Sequence, residues 1–196
     1  MKTKLSIAIL LACLSHAAIA AEAGPDTALV AKCESCHGPG GASRTPETPR
    51  LNGQNRDYLL MRLKEFADPT RNTPHATYQM WERATSLGDR VAAGIAAYFA
   101  GQPPTQAAPA GALAAAGEKI YRQGVGAQVP ACQQCHGAAG EGAGVVPRLA
   151  GQHAAYLEQQ LSAFMLGVRV SPQMNKHAWH LDPDQFKAIS AYLARD

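Results

Sequence analysis

Five residues, Cys33-Glu34-Ser35-Cys36-His37, restrict what this chain can become more than anything else in it, because the pattern returns 99 positions later as Cys132-Gln133-Gln134-Cys135-His136. C-x-x-C-H is the attachment signature of c-type heme. Two thiols three positions apart on one helical turn can each form a thioether with a porphyrin vinyl group, and the adjacent histidine then reaches the iron. Two other readings compete. Structural zinc sites use C-x-x-C pairs at much shorter mutual spacing, and a thioredoxin-type dithiol needs a βαβ context, for which the sequence gives no sign. The motif predicts two covalently attached heme c groups, bound through Cys33, Cys36, Cys132 and Cys135, with His37 and His136 as iron ligands.

The repeat extends well beyond the motif. Pro49-Arg-Leu-Asn-Gly-Gln54 returns as Pro147-Arg-Leu-Ala-Gly-Gln152, and Tyr58-Leu59, Leu63 and Phe66 match Tyr156-Leu157, Leu161 and Phe164. Met80, Ala84, Leu87, Ile95 and Tyr98 then match Met174, Ala178, Leu181, Ile189 and Tyr192, after four extra residues in the first copy. The chain is a tandem duplication. It divides into an N-terminal unit at 21–100, a Pro- and Ala-rich linker at 101–111 and a C-terminal unit at 112–196.

Apolar residues recur at helical spacing in both units, and no stretch alternates convincingly as a strand. The pattern predicts an all-α fold. An opening helix, seeded by Asp26 in the first unit and Ala-rich over 112–123 in the second, runs into each C-x-x-C-H. A middle helix carries the Tyr/Leu/Leu/Phe stripe. A last helix starts at a capping box, Ser86 with Asp89 and Asp182 with Gln185. Units of about 85 residues bury little by themselves, so a cofactor that completes each core is expected.

Residues 1–20 read as a cleaved export signal. Lys2 and Lys4 precede an apolar run, and Ala18-Ile-Ala20 offers small residues for cleavage near Ala20. The alternative is a lipoprotein box ending at Cys13. Export predicts a periplasmic protein. Without those residues 16 basic side chains face 15 acidic ones, a balance that excludes a basic nucleic-acid surface and strong long-range steering of a partner.

The sixth iron ligand follows from the duplication. Of the methionines after residue 20, only Met80 and Met174 hold equivalent places, whereas Met61 stands opposite Gln159 and Met165 opposite Ala67. Beyond His37 and His136 no histidine pairs between the copies. Met80 and Met174 are therefore the expected distal ligands, and the alternative is a pair of core methionines. His/Met ligation leaves no open iron position and favours electron transfer over catalysis. The carbonyls of Pro49 and Pro147 are expected to orient the ligand histidines. Arg50 and Arg148 are candidate partners of heme propionates, and Tyr58 and Tyr156 read as core aromatics.

With C-E-S-C-H-G, C-Q-Q-C-H-G, P-R-L-N-G-Q, P-R-L-A-G-Q and the A-A-Y-F and S-A-Y-L helix ends, the chain resembles the diheme cytochrome c4 family, tandem class I c-type cytochromes of the bacterial periplasm. The resemblance covers essentially all of residues 21–196. It implies two small α-helical cytochrome domains, each around one heme, with His37/Met80 and His136/Met174 as axial pairs. It also implies a carrier, not an enzyme, passing electrons from a quinol-oxidising complex or a dehydrogenase to a terminal oxidase. Two other functions compete: the heme subunit of a catalytic complex such as a flavocytochrome sulfide dehydrogenase, and a diheme enzyme with one exchangeable axial ligand.

Overall fold

The computed structural model describes residues 25–68 and 77–194. The expected export signal and part of the segment before Met80 lie outside the described residues. Those described are helical, with isolated β-bridges and no sheet. No helix among them is long and apolar enough to cross a membrane.

Asp26 opens α1 (Thr27–His37) by accepting from the backbone N–H of Ala28 and Leu29 at 3.0 and 3.1 Å. This N-cap satisfies donors that the first turn leaves open. The last turn of α1 carries Cys33, Cys36 and His37, as the sequence predicts. A turn of 3-10 helix at Pro39–Gly41 follows, then α2 (Arg56–Ala67), α3 (Thr77–Ala84) and α4 (Asp89–Ala100). In the second copy the order is α5 (Gly111–Gln123), α6 (Gln133–His136), α7 (Ala154–Met165), α8 (Pro172–Ala178) and α9 (Pro183–Leu193).

Two expectations need correction. The second opening helix does not run into its C-x-x-C-H. It stops at Gly124, whose φ of +78° suits glycine and where a Cβ would stand 2.0 Å from the Val129 carbonyl oxygen. The chain then doubles back through paired backbone bonds between Val125 and Val129, and the heme motif sits on the separate short α6. Ser86 forms no capping box either. Its hydroxyl donates to the Arg83 carbonyl, and Gly88 is the N-cap of α4. The box at Asp182 does form: Gln185 N–H donates to Asp182 Oδ1 at 2.8 Å, and Gln185 Oε1 accepts from Asp182 N–H at 3.0 Å.

The apolar stripes meet in two clusters. Leu59, Ile95, Ala96 and Phe99 bury one, with Cys33 against it. Tyr121, Val129, Leu157, Leu181, Phe186, Ile189 and Leu193 bury the other, with Cys132 against it. Helices α5 and α9 approach so closely at Gly117 that a Cβ there would lie 1.8 Å from the Ala188 carbonyl oxygen. Gly117→Ala therefore forces two backbones apart. Overpacking of this kind costs about 1–3 kcal/mol, read as a lower thermal midpoint of the holoprotein.

Candidate functional site

The two motif histidines share one local design. Both are buried, at 8% exposure each. His37 Nδ1 lies 2.8 Å from the Pro49 carbonyl oxygen, and His136 Nδ1 lies 3.1 Å from that of Pro147. A carbonyl only accepts, so each Nδ1 carries the proton and each Nε2 keeps a lone pair. A metal-ligating imidazole needs that tautomer. Burial also pulls both pKa values down, opposed by the proline carbonyls, which keeps the rings neutral. The expected role of the two prolines is met.

The thiols are free rather than disulfide-linked. Cys33 and Cys132 are half-buried and Cys36 and Cys135 exposed. Burial raises the pKa of Cys33 and pushes Cys132 up to about 11. Among the described residues no three His, Cys, Asp or Glu side chains converge as a metal-binding group. The zinc reading has no geometry behind it.

Instead, Cys33, Cys36, His37 and Met80 from one copy, and Cys132, Cys135, His136 and Met174 from the other, line a single cavity of about 2070 Å³. Pockets for one drug-sized ligand span about 300–1,000 Å³, so this space suits two large planar groups better than one. Its wall is apolar where the porphyrin faces would lie: Leu59, Ile95 and Phe99 in one half, Leu157, Leu181 and Ile189 in the other. The donor set, the cavity and the paired thiols at its edge fit heme c in both copies.

Helix α3 brings Met80 and α8 brings Met174, the expected distal ligands, to the cavity wall. Two unrepeated side chains also reach it, Met61 from α2 and His177 from α8. His177 lies one turn beyond Met174, and its buried Nδ1 has no hydrogen-bond partner among the described residues. Sequence comparison of the copies discards His177, since only the fold shows that it shares the cavity face with Met174.

Between the copies lies a feature that the sequence did not announce. The repeated Pro-Arg-Leu-x-Gly-Gln segments pair with each other about a local two-fold. Gln54 Oε1 accepts from Arg148 N–H at 2.7 Å while Gln54 Nε2 donates to the Arg148 carbonyl at 2.8 Å. Gln152 does the same to Arg50, at 2.9 and 3.0 Å. Arg50 donates to the Gly151 and Ser43 carbonyls, and Arg148 to that of Ala150. Both arginines thus bond to backbone carbonyls at the junction, and both also line the cavity. Gln54→Ala strips the Arg148 backbone of both partners in a buried place. A buried group left unsatisfied costs about 1–3 kcal/mol, so the thermal midpoint falls, and Gln152→Ala has an effect of the same size.

Comparison with known proteins follows this geometry. The cytochrome c family model matches residues 114–195. Cytochrome c4 of Azotobacter vinelandii is 38% identical over 192 residues, covering 92% of this chain and 90% of that protein. The thiosulfate dehydrogenase electron acceptor of Thiomonas intermedia strain K12 is 34% identical, covering 99% of this chain and 91% of its own. Among solved structures, Acidithiobacillus ferrooxidans cytochrome c4 superposes with a TM-score of 0.79 at 40% identity, over 84% of this chain and 98% of that one.

Proposed function

This chain belongs to the diheme cytochrome c4 family and is an electron-transfer cytochrome with heme c as its cofactor; we propose that it is a periplasmic carrier whose hemes are held by Cys33, Cys36, His37 and Met80 in residues 21–100 and by Cys132, Cys135, His136 and Met174 in residues 112–196. The observation that carries the assignment is the matched pair of buried histidines, each with Nδ1 bonded to a proline carbonyl and each facing the shared cavity. Heme c supplies a one-electron Fe(III)/Fe(II) couple. The protein supplies fixed axial donors, so that a change of oxidation state requires little rearrangement, and an apolar wall that keeps water from the ring faces. One continuous cavity lined by both motifs supports two neighbouring redox centres within one molecule, so that an electron entering one unit can leave from the other.

The partners are redox proteins: a quinol-oxidising complex or a dehydrogenase as donor and a terminal oxidase or reductase as acceptor. The similarity to a thiosulfate dehydrogenase electron acceptor supports a sulfur-oxidising dehydrogenase as one such donor. An optical redox titration of the exported protein tests the reading. Two one-electron transitions with low-spin spectra, and no spectral change under carbon monoxide, are the expected result. One transition, or a carbon monoxide complex of the native reduced protein, would sink it.

A further inference from the structure

Electrostatics at the cavity single out one residue that the repeat comparison pairs with Arg71 but gives no role. The cavity wall carries six cations, Lys32, Arg50, Arg62, Arg83, Arg148 and Arg169, against three carboxylates, Glu47, Glu65 and Glu82. A chain close to neutral overall has therefore concentrated positive charge where its cofactors sit. Most of those cations have other duties: Arg50 and Arg148 hold the junction, and Arg62 is ion-paired with Glu65.

Arg169 is different. Among the described residues its direct partners are all neutral: Gln160 Oε1 at 2.6 Å, Tyr58 Oη at 2.9 Å, the Tyr156 hydroxyl, and the Phe164 ring, whose centroid lies 4.5 Å from Cζ. Glu65 acts on it only at longer range, and that carboxylate is engaged by Arg62. A half-buried guanidinium whose direct partners are all neutral is costly, since buried charges are normally paired. The second unit supplies Arg169 and the first supplies Tyr58, so the contact bridges the duplication. Tyr58 and Tyr156 also line the cavity, and burial pushes the Tyr156 phenol up to about 12, which keeps it protonated. Tyr58 accepts from Arg169, and its own proton meets no acceptor among the described residues. Two donors from different units thus converge on a cavity that takes a cofactor bearing carboxylates.

Resting on the heme assignment above, we infer that Arg169, oriented by Tyr58 and Gln160, is the counter-cation of a heme propionate and a tuning residue for reduction potential that spans the two units. Guanidinium–carboxylate pairing is the strong, geometrically matched form of charge-assisted hydrogen bond. A fixed positive charge beside a heme disfavours the more positive ferric state. Removing it leaves the propionate uncompensated as well, so both consequences favour oxidation.

The test compares Arg169→Gln, Arg169→Lys and Arg90→Gln, the last removing an exposed cation on α4 outside the cavity wall. Heme per chain and both midpoint potentials are measured for each holoprotein. The inference expects two hemes throughout and at least one potential lowered in Arg169→Gln. The size expected is a tenfold shift of the redox equilibrium, about 59 mV for one electron. Arg169→Lys should recover most of that loss, and Arg90→Gln should match the wild type. Unchanged potentials in Arg169→Gln with both hemes bound, or an equal fall in Arg90→Gln, would overturn the inference. A wild-type protein with fewer than two hemes would instead refute the heme assignment beneath it. If Arg169→Gln does not accumulate, Tyr58→Phe serves in its place, since it removes the hydroxyl that holds Arg169, and unchanged potentials there also count against the inference.

Discussion

Cys132→Ala combined with Cys135→Ala yields a chain that keeps one covalent heme, in its N-terminal half, and largely loses the folded core of the other half. Cys132 packs directly against the cluster of Tyr121, Val129, Leu157 and Leu181, and the same residues line the cavity. The second core is thus built around a space that protein atoms do not fill. Burial of apolar surface contributes about 25 cal/mol per Å², and a unit of some 85 residues has little to spare. When thioether attachment fails, that part of the wall faces water. Heme absorbance per chain should halve, intact mass should fall by one heme, and helical circular dichroism should drop. The N-terminal unit loses its partner at the Gln54–Arg148 and Gln152–Arg50 pairs, so its thermal midpoint should fall too. A double variant that still carries two hemes would show that the attachment residues are wrong.

The helical class and the local setting of each attachment motif were legible because each is written locally. Cys33 to His37 fits one helical turn, Asp26 is an N-cap by its own chemistry, and Asp182 with Gln185 is a capping box within four residues. The misreadings arose where a local signal competed with tertiary geometry. The Ala-rich helix over 112–123 was expected to run into the second motif, yet the close approach of Val129 makes Gly124 a true stop. Ser86 had the right spacing for a cap, but its hydroxyl turned back to Arg83 on the preceding helix. Repetition also misled in one direction. It marked Pro49 and Pro147 correctly, and it marked Arg50 and Arg148 without revealing that they bind each other's segments. Arg169 and His177 were given no role: Arg169 stands opposite Arg71 and His177 opposite a non-histidine, and only the folded cavity brings them beside the candidate ligands. Symmetry between copies marks the residues that both units share, Gln54 and Gln152 included, but does not say which of them one unit uses to hold the other.

Met174→Ala is the second large effect, and it bears on which atom closes the iron of the C-terminal heme. Thioether sulfur is a neutral, soft donor that stabilises the ferrous state relative to imidazole, so a Met ligand raises the potential. Removal leaves the thioether bonds through Cys132 and Cys135 in place, and heme content should stay at two per chain. The C-terminal midpoint potential should fall, and the reduced protein should bind carbon monoxide at one heme. A further outcome is built into α8. His177 sits one turn from Met174 on the same cavity wall, with Nδ1 already buried and unpartnered. If its ring reaches the iron when the sulfur is gone, the spectrum stays low-spin, carbon monoxide is excluded and the potential still falls, now to a bis-histidine value. Met174→Ala/His177→Ala removes that rescue and should bind carbon monoxide in every preparation. An unchanged redox titration in this double variant would mean that neither residue is a ligand of that iron, and the axial assignment from the repeat would fail.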